Sequence, residues 1–355
     1  MKTLRTATAI TTLGLIAAMM AGCASGSASA EGADQRPAAE LRLGYFANVT
    51  HAPALVGLQK GLLQDALGDT TLSTEVFNAG PAAIEALSAG AIDATYIGPN
   101  PSINTFIQSR GESARIVAGA ATGGAALVVR DGITSAADLK GKTLATPQLG
   151  NTQDVALRGW LKKQGFQTTT SGGGDVTITP TDNAQTFQLF KDGQLDGAWL
   201  PEPWVSRLVV DAGAKVLVDE ADEWPGGQFP TTVLLVRKEF LDQHPETVSK
   251  LLAGHAASVK WIADNPTQVA SVVNAQLAAD TGKPLSDAVI DRALQHVSFS
   301  VDPHADTFQT LVENGTAAGT QKQGSIQGLF DLRLLNGQLQ KNGQATVSAA
   351  GLGEE

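Results

Sequence analysis

Between Leu41 and Val236 short apolar runs alternate with helical stretches, and this alternation limits the fold more than any other feature of the chain. Leu41–Phe46, Thr74–Phe77, Ile92–Ile97, Arg115–Ala120, Ala125–Arg130, Thr143–Ala145, Val176–Ile178, Leu195–Leu200 and Thr231–Val236 read as strands. The segments between them carry helix signals. Gly80-Pro81 puts proline in a first turn, and Asn100-Pro101 pairs a cap with a proline. Ile103, Phe106 and Ile107 form an apolar stripe, Gly90 is a stop, and Thr152–Lys163 reads as one helix. Strands alternating with helices imply an α/β fold with mostly parallel sheets covered on both faces. Beyond Pro245 the pattern is helical to about Gln340, and the tail 342–355 reads as frayed.

The first residues form a separate unit. Lys2 and Arg5 precede an apolar run, Ala7–Ala21, that is too short to span a membrane comfortably and has the layout of a signal peptide. It ends in Met20-Ala21-Gly22-Cys23, which resembles a bacterial lipobox. Residues 1–22 are therefore expected to be a lipoprotein signal peptide, with Cys23 the lipidated first residue of the mature chain. Residues 23–39, rich in Ala, Ser and Gly, read as a flexible tether.

Charge and cysteine count exclude several functions. The chain has 25 basic and 35 acidic residues, a net charge of −10. Loss of residues 1–22 removes Lys2 and Arg5 and makes the balance −12. Nucleic-acid binding needs a basic face and is not expected. Cys23 is the single cysteine, so the chain has no intramolecular disulfide and no Cys-based zinc site. No two of the five histidines share a helix turn, and no metal or cofactor is expected. There is no Gly-x-Ser-x-Gly elbow and no dinucleotide fingerprint. Gly141-Lys142-Thr143 imitates the end of a P-loop, but the glycine required five residues earlier is Ala136.

One unit recurs at an offset of 103 residues: Gly90-Ala91-Ile92-Asp93-Ala94-Thr95-Tyr96-Ile97-Gly98-Pro99 and Gly193-Gln194-Leu195-Asp196-Gly197-Ala198-Trp199-Leu200-Pro201. Two ordinary units with similar turns account for this, and so do two related lobes facing each other. In the second case Tyr96 and Trp199 hold equivalent places at the mouth of a shared cleft, since ligands sit beyond the carboxyl ends of strands.

Three loops combine glycine, a small polar side chain and an immediate helix start: Asn78–Ala83, Gly98–Ser102 and Gly150–Asp154. Free N–H groups and the helix dipole make each an anion receptor. Gly80, Ala82, Asn100, Ser102, Asn151, Thr152 and Gln153 are the candidate contacts. Asn48, Thr50 and His51 follow the first strand, and His51 fits a capping place as well as a ligand contact. Glu202, between Pro201 and Pro203, fits a hinge hydrogen bond or a ligand contact.

The lipobox, the loop from Gly44-Tyr45 to Pro53, Gly80-Pro81, Gly90–Asp93 with Gly98-Pro99-Asn100-Pro101, Asp138-Leu139-Lys140-Gly141-Lys142, Thr146–Gln153 and Pro201-Glu202-Pro203-Trp204 occur in this order. Together, over about residues 40–340, they resemble the nitrate/sulfonate/taurine-type substrate-binding proteins of ABC importers. The resemblance implies a type II periplasmic-binding-protein fold, with two α/β lobes joined by crossing strands near Leu127–Arg130 and Thr232–Val236. Lobe I would then hold residues 40–128 and 236–341, and lobe II 129–235. It further implies a monomeric, exported lipoprotein, anchored outside the bacterial cytoplasmic membrane or periplasmic. Such a protein hands a small organic anion, most in keeping an aliphatic sulfonate, to an ABC permease. Nitrate, bicarbonate, taurine and thiamine-precursor pyrimidines are alternative ligands, and a solute-sensing lipoprotein is an alternative role. Enzymes on this fold use cysteine chemistry, and no cysteine follows Cys23, so catalysis is not expected.

Overall fold

The computed structural model describes residues 37–355; the expected signal peptide, Cys23 and nearly all of the tether lie outside the described residues. Strand β1 (Glu40–Phe46) leads through α1 (Ala52–Gln59) and α2 (Leu62–Leu67) to β2 (Thr71–Phe77). Helix α3 (Gly80–Ser88) leads to β3 (Ala94–Ile97), and α4 (Pro99–Gln108) to β4 (Ala114–Gly123). Then come β5 (Ala125–Val129), β6 (Thr143–Thr146), α5 (Thr152–Lys163), β7 (Thr177–Pro180), α6 (Asn183–Lys191), β8 (Gly197–Pro201), α7 (Trp204–Ala212) and β9 (Lys215–Asp219). Strand β10 (Pro230–Arg237) opens a helical part: α8 (Lys238–Gln243), α9 (Pro245–Asp264), α10 (Val269–Thr281), α11 (Asp287–Gln295), α12 (Phe308–Ala317) and α13 (Arg333–Lys341). Three short strands accompany these helices: β11 (Val297–Phe299), β12 (Phe330–Asp331) and β13 (Gly353–Glu354).

The strands form two sheets, one per lobe. The first runs β13-β12-β4-β10-β3-β1-β2 with β11 on β4, and the second β7-β6-β8-β5-β9. Parallel pairs β1/β2, β1/β3, β6/β7 and β6/β8 follow from the strand–helix–strand connections. The sheets are mixed rather than mostly parallel, because β10 and β5 are antiparallel to both of their neighbours. The chain leaves the first sheet between β4 and β5, at Gly123 and Gly124, whose φ angles of 79° and 74° suit glycine. It returns through residues 220–229. The crossings expected at Leu127–Arg130 and Thr232–Val236 thus lie inside the second and first sheets. Apolar runs mark strand interiors, whereas the chain changes sheet in the turns beside them.

Alternate strand residues supply the cores. In the first lobe Leu43, Tyr96 and Leu234 face one layer, and Ile97, Val233 and Leu235 the other. In the second, Leu127, Leu144 and Trp199 face one layer and Val128, Ala198 and Leu200 the other. The tail is not frayed: Phe330 pairs with Gly353 and Asp331 with Glu354, and Ala349 is fully buried. The open edge of β12 and the apolar surface beside it hold residues that look weak by composition.

The recurring Gly-x-(Ile/Leu)-Asp unit does the same work twice. Asp93 N–H donates to Arg42 O at 2.8 Å, and Arg42 N–H donates back to Asp93 Oδ2 at 3.0 Å. Asp196 N–H donates to Thr143 O at 2.8 Å, and Thr143 N–H donates back to Asp196 Oδ2 at 2.8 Å. Each aspartate locks a strand to its parallel neighbour. The strands so locked point their carboxyl ends at one cleft.

Candidate functional site

A narrow cavity of about 20 Å³ lies where these strand ends meet. The first lobe lines it with Asn48, Thr50 and His51 after β1, Asn78 and Gly80 after β2, and Gly98 and Pro101 after β3. The second lobe lines it with Pro147, Asn151, Thr152 and Gln153 after β6, Asn183 after β7 and Pro201 after β8. Thr231 of β10 completes it. All these side chains are uncharged.

Two helix N-termini from opposite lobes point into this space. Helix α3 begins after Ala79, which is extended and offers no capping side chain, with Pro81 in the first turn. Its first amides therefore have no acceptor within the helix. Helix α5 is capped by Asn151, whose Oδ1 accepts from Asp154 N–H at 3.0 Å. Asn151 Nδ2 donates to Gln153 Oε1 at 3.0 Å, which leaves the Gln153 amide group its own donors. Asp154 holds this end in place. It accepts from Thr146 Oγ1 and Gly150 N–H, both at 2.9 Å, and pairs with Arg158 Nε at 3.0 Å, both side chains fully buried. Thr152 Oγ1 and Asn183 Oδ1 are buried without a partner.

His51 is a neutral donor. Its Nδ1 accepts from Phe46 N–H at 3.3 Å, which puts the proton on Nε2. Burial pushes its pKa down to about 3, so the ring carries no charge at neutral pH. Asn48 Oδ1 accepts from Trp204 Nε1 of the other lobe at 2.9 Å, leaving the Asn48 NH₂ donors. The lobes also touch where Thr152 Oγ1 sits on Gly98, so close that a Cβ at residue 98 would collide with it. Donors dominate, and an anion with several acceptor oxygens is the complementary guest.

A wider chamber of about 430 Å³ adjoins this cavity, sharing Asn48, Asn78 and Asn183. Phe77, Trp204, Leu277 and Leu285 give it apolar walls, and Asp182, Arg207, Asp280 and Lys283 line it with balanced charge. The Arg207 guanidinium lies 4.5 Å from the ring centres of both Phe187 and Trp204.

Of the expected contacts, Asn48, Thr50, His51, Gly80, Asn151, Thr152 and Gln153 come together here, and six do not. Tyr96 is fully buried in the first lobe, its hydroxyl 2.9 Å from His255 Nδ1. Trp199 is 1% exposed, and its Nε1 donates to Glu220 at 2.7 Å. Both lie within strands and point to sheet faces covered by helices, whereas the cleft begins after the strands end. Ser102 Oγ donates to Gly98 O within α4, and Asn100 Nδ2 donates to Leu311 O at 3.2 Å. The Ala82 side chain does not line the cavity, although its amide belongs to the α3 N-terminus. Glu202 is 1% exposed, accepts from Ser206 N–H and Arg292 Nη1, both at 3.0 Å, and does not line the cavity. Burial raises its pKa, partly offset by Ser206 and Arg292. Asn183 and Thr231 were missed. Asn183 had a usable signal, because it opens a helix after a strand just as Thr152 does.

The sequence profile of the NMT1-like family matches residues 34–278. The chain belongs to the NMT1-like family. Among its relatives, a binding protein of Brucella abortus (strain 2308) is 29% identical over 286 residues, covering 76% of this chain and 85% of that one. A Bacillus subtilis (strain 168) protein named as aliphatic sulfonates-binding is 25% identical over 251 residues, covering 68% and 70%. The solved alkanesulfonate-binding protein SsuA from Xanthomonas axonopodis pv. citri, bound to MOPS, superposes with a TM-score of 0.68 at 23% identity, covering 81% and 96%. That likeness shows the fold of this NMT1-like chain to be the two-lobed periplasmic-binding-protein fold. No helix among the described residues is long and apolar enough to cross a membrane.

Proposed function

We propose that this chain is the extracytoplasmic receptor of an ABC importer and that it captures an aliphatic sulfonate. It is a solute-binding protein and not an enzyme. The observation that carries this reading is the cavity of neutral donors at two helix N-termini, one from each lobe. A sulfonate stays ionised at every working pH and needs no proton from its receptor. Its three oxygens accept several charge-assisted hydrogen bonds, each about 1.5–3 kcal/mol. Helix N-termini add up to about 2 kcal/mol in partly buried geometry. Neutral donors also spare the lobes a buried lysine, which is unfavourable whenever it is unpaired. The organic part would lie in the wider chamber against Phe77 and Trp204. The name of the Bacillus subtilis relative supports the ligand class.

Capture would proceed by hinge closure at Gly123-Gly124 and residues 220–229, the ligand favouring the closed form through contacts made from both sides. Export would end with cleavage before Cys23 and acylation there, leaving a monomer tethered beside its permease. Cys23→Ala should release the protein or leave it unprocessed; unchanged size and membrane association would remove the anchor from this account. The ligand is tested with purified residues 33–355 by thermal shift and calorimetry against alkanesulfonates, taurine, nitrate, bicarbonate, sulfate and pyrimidines. Alkanesulfonates should stabilise most. Stabilisation by nitrate or bicarbonate alone would replace the ligand, and stabilisation by none would overturn the reading.

A further inference from the structure

A second cavity, about 180 Å³, shares Thr152 in its lining with the first. Its chemistry is the reverse of the first. Trp160, Trp199 and Trp224 form aromatic walls, with Trp160 and Trp199 6.2 Å apart between ring centres. The Glu220 carboxyl also lines it, 2% exposed, and accepts from Trp199 Nε1 at 2.7 Å and from the Trp224 side chain. The Trp199 and Trp224 indole donors are thus turned onto the carboxyl and away from any guest. Its charged neighbours Asp219 and Glu223 are both acidic, and among the described residues no cation pairs with it. Asn100, 1% exposed, uses Nδ2 on Leu311 O, which leaves Oδ1 buried in the wall without a partner. The one lysine at the rim, Lys163, is 3.3 Å from Glu223.

Aromatic walls, a buried carboxyl lacking a counter-ion and an unpaired amide oxygen are the features that recognise an organic cation. We propose that this second cavity binds a small alkylated ammonium group. The proposal does not depend on what fills the first cavity. The ammonium has two sources: a free cation, or the cationic arm of a molecule whose anionic end lies across Thr152 in the first cavity. Burial pushes the Glu220 pKa up to about 7, and a bound cation would draw it back down. Cation binding should therefore release protons near neutral pH, with Asp219, Glu223 and the rim Lys163 the other charges facing the site.

The test titrates the purified protein with tetramethylammonium chloride, sodium chloride serving as the control, and reads calorimetry and tryptophan fluorescence. Tetramethylammonium should bind and quench fluorescence, and Glu220→Gln and Trp224→Ala should each weaken it about tenfold. 1-Propanesulfonate is titrated into the wild-type protein in the same way. If 1-propanesulfonate fails to bind while tetramethylammonium binds, the sulfonate reading falls and this one stands. 3-(Trimethylammonio)propane-1-sulfonate separates the sources. Affinity well above that of either half assigns one ligand to both cavities, and no gain assigns a free cation. Absence of binding up to about 50 mM tetramethylammonium would overturn the proposal. So would unchanged affinity in both variants at wild-type melting temperature.

Discussion

The two lobes repeat one strand-locking unit but surround it differently. In the first, Asp93 sits between Arg42 Nη2 at 2.6 Å and Arg237 Nη2 at 2.9 Å, with its own side chain 2% exposed. In the second, Asp196 is 29% exposed and among the described residues its only cation is Lys142 at 3.7 Å. The aromatic three residues on also differs. Tyr96 meets a neutral histidine, His255, whose pKa burial lowers to about 4, and Trp199 meets the acid Glu220. The repeat therefore marks architecture, while the polar side chains that line the cleft, Thr231 aside, follow the neighbouring strands β1, β2, β6 and β7. Four experiments test how far that separation goes.

The largest difference is expected at the aspartates. Asp93→Ala removes the carboxylate shared by Arg42, 36% exposed, and Arg237, 19% exposed and still paired with Glu239, and should cost about 2–3 kcal/mol of stability, between an exposed and a buried ion pair. Asp196→Ala should cost about 1 kcal/mol, because its lysine pair is solvent-screened. Equal losses by chemical denaturation would show that the backbone bonds to Arg42 and Thr143, and not the ion pairs, are what the aspartates supply.

The two lobes should also respond to pH with opposite sign. Burial pushes Asp93 up, but hydrogen bonds from Arg42 and Arg237 outweigh it and hold the carboxyl below its ordinary range. Its contribution is present above the unfolded pKa and is lost as pH falls through the folded one. Glu220 is held up to about 7 from an ordinary 4.5, so the unfolded chain ionises first. Its contribution is full below about pH 4.5, declines as pH rises towards 7 and is level above that, a span of up to about 3 kcal/mol. In Glu220→Gln that decline should flatten while the acid limb set by Asp93 remains. Urea midpoints between pH 3 and 8 decide it, and an unchanged decline would show that Glu220 stays ionised throughout.

Closure is tested where the lobes touch. Gly98→Ala adds a methyl that meets Thr152 Oγ1 and should weaken sulfonate binding about a hundredfold by blocking closure. Thr152→Ala removes one unpartnered hydroxyl and should weaken it about tenfold. The double variant has room for the new methyl and should bind like Thr152→Ala. Additive losses in calorimetry would mean that the two residues act independently and do not meet in the bound form.

Much of this was legible before the structure. Residues 152–163 have the cap, stripe and basic end of a helix, and α5 has those bounds. The helix-start loops gave Gly80, Asn151, Thr152 and Gln153 because free amides after a strand are a local property. What failed was the direction of a side chain within a strand. Tyr96 and Trp199 lie one and two residues before the last residue of their strands yet face the core, and a repeat seen in sequence does not say which face it faces. The short strands β9, β11, β12 and β13 were missed because their pairing is set by distant neighbours, as the Gly353 contact with Phe330 shows.

The smallest effect separates stability from binding at the two helix starts. Helix α5 has its own cap in Asn151, whereas α3 follows Ala79, whose extended backbone suits a capping side chain that is not there. Pro81 at the second helical position has no N–H, so a cap at residue 79 has one amide in reach, that of Ala82. The hydroxyl introduced by Ala79→Ser should accept from that amide and stabilise the fold by about 0.5–1 kcal/mol. If the same amide holds the anion, the gain carries a penalty: sulfonate affinity should fall about threefold, less than 1 kcal/mol, as the new hydroxyl competes for the donor. Asn151→Ala is the mirror experiment. It removes a cap that is already satisfied within the helix, so stability should fall by about 1 kcal/mol. Melting curves and calorimetry on the pair read both quantities. A stabilised Ala79→Ser protein with wild-type affinity would remove the Ala82 amide from the anion site and leave the open end of α3 without a binding role.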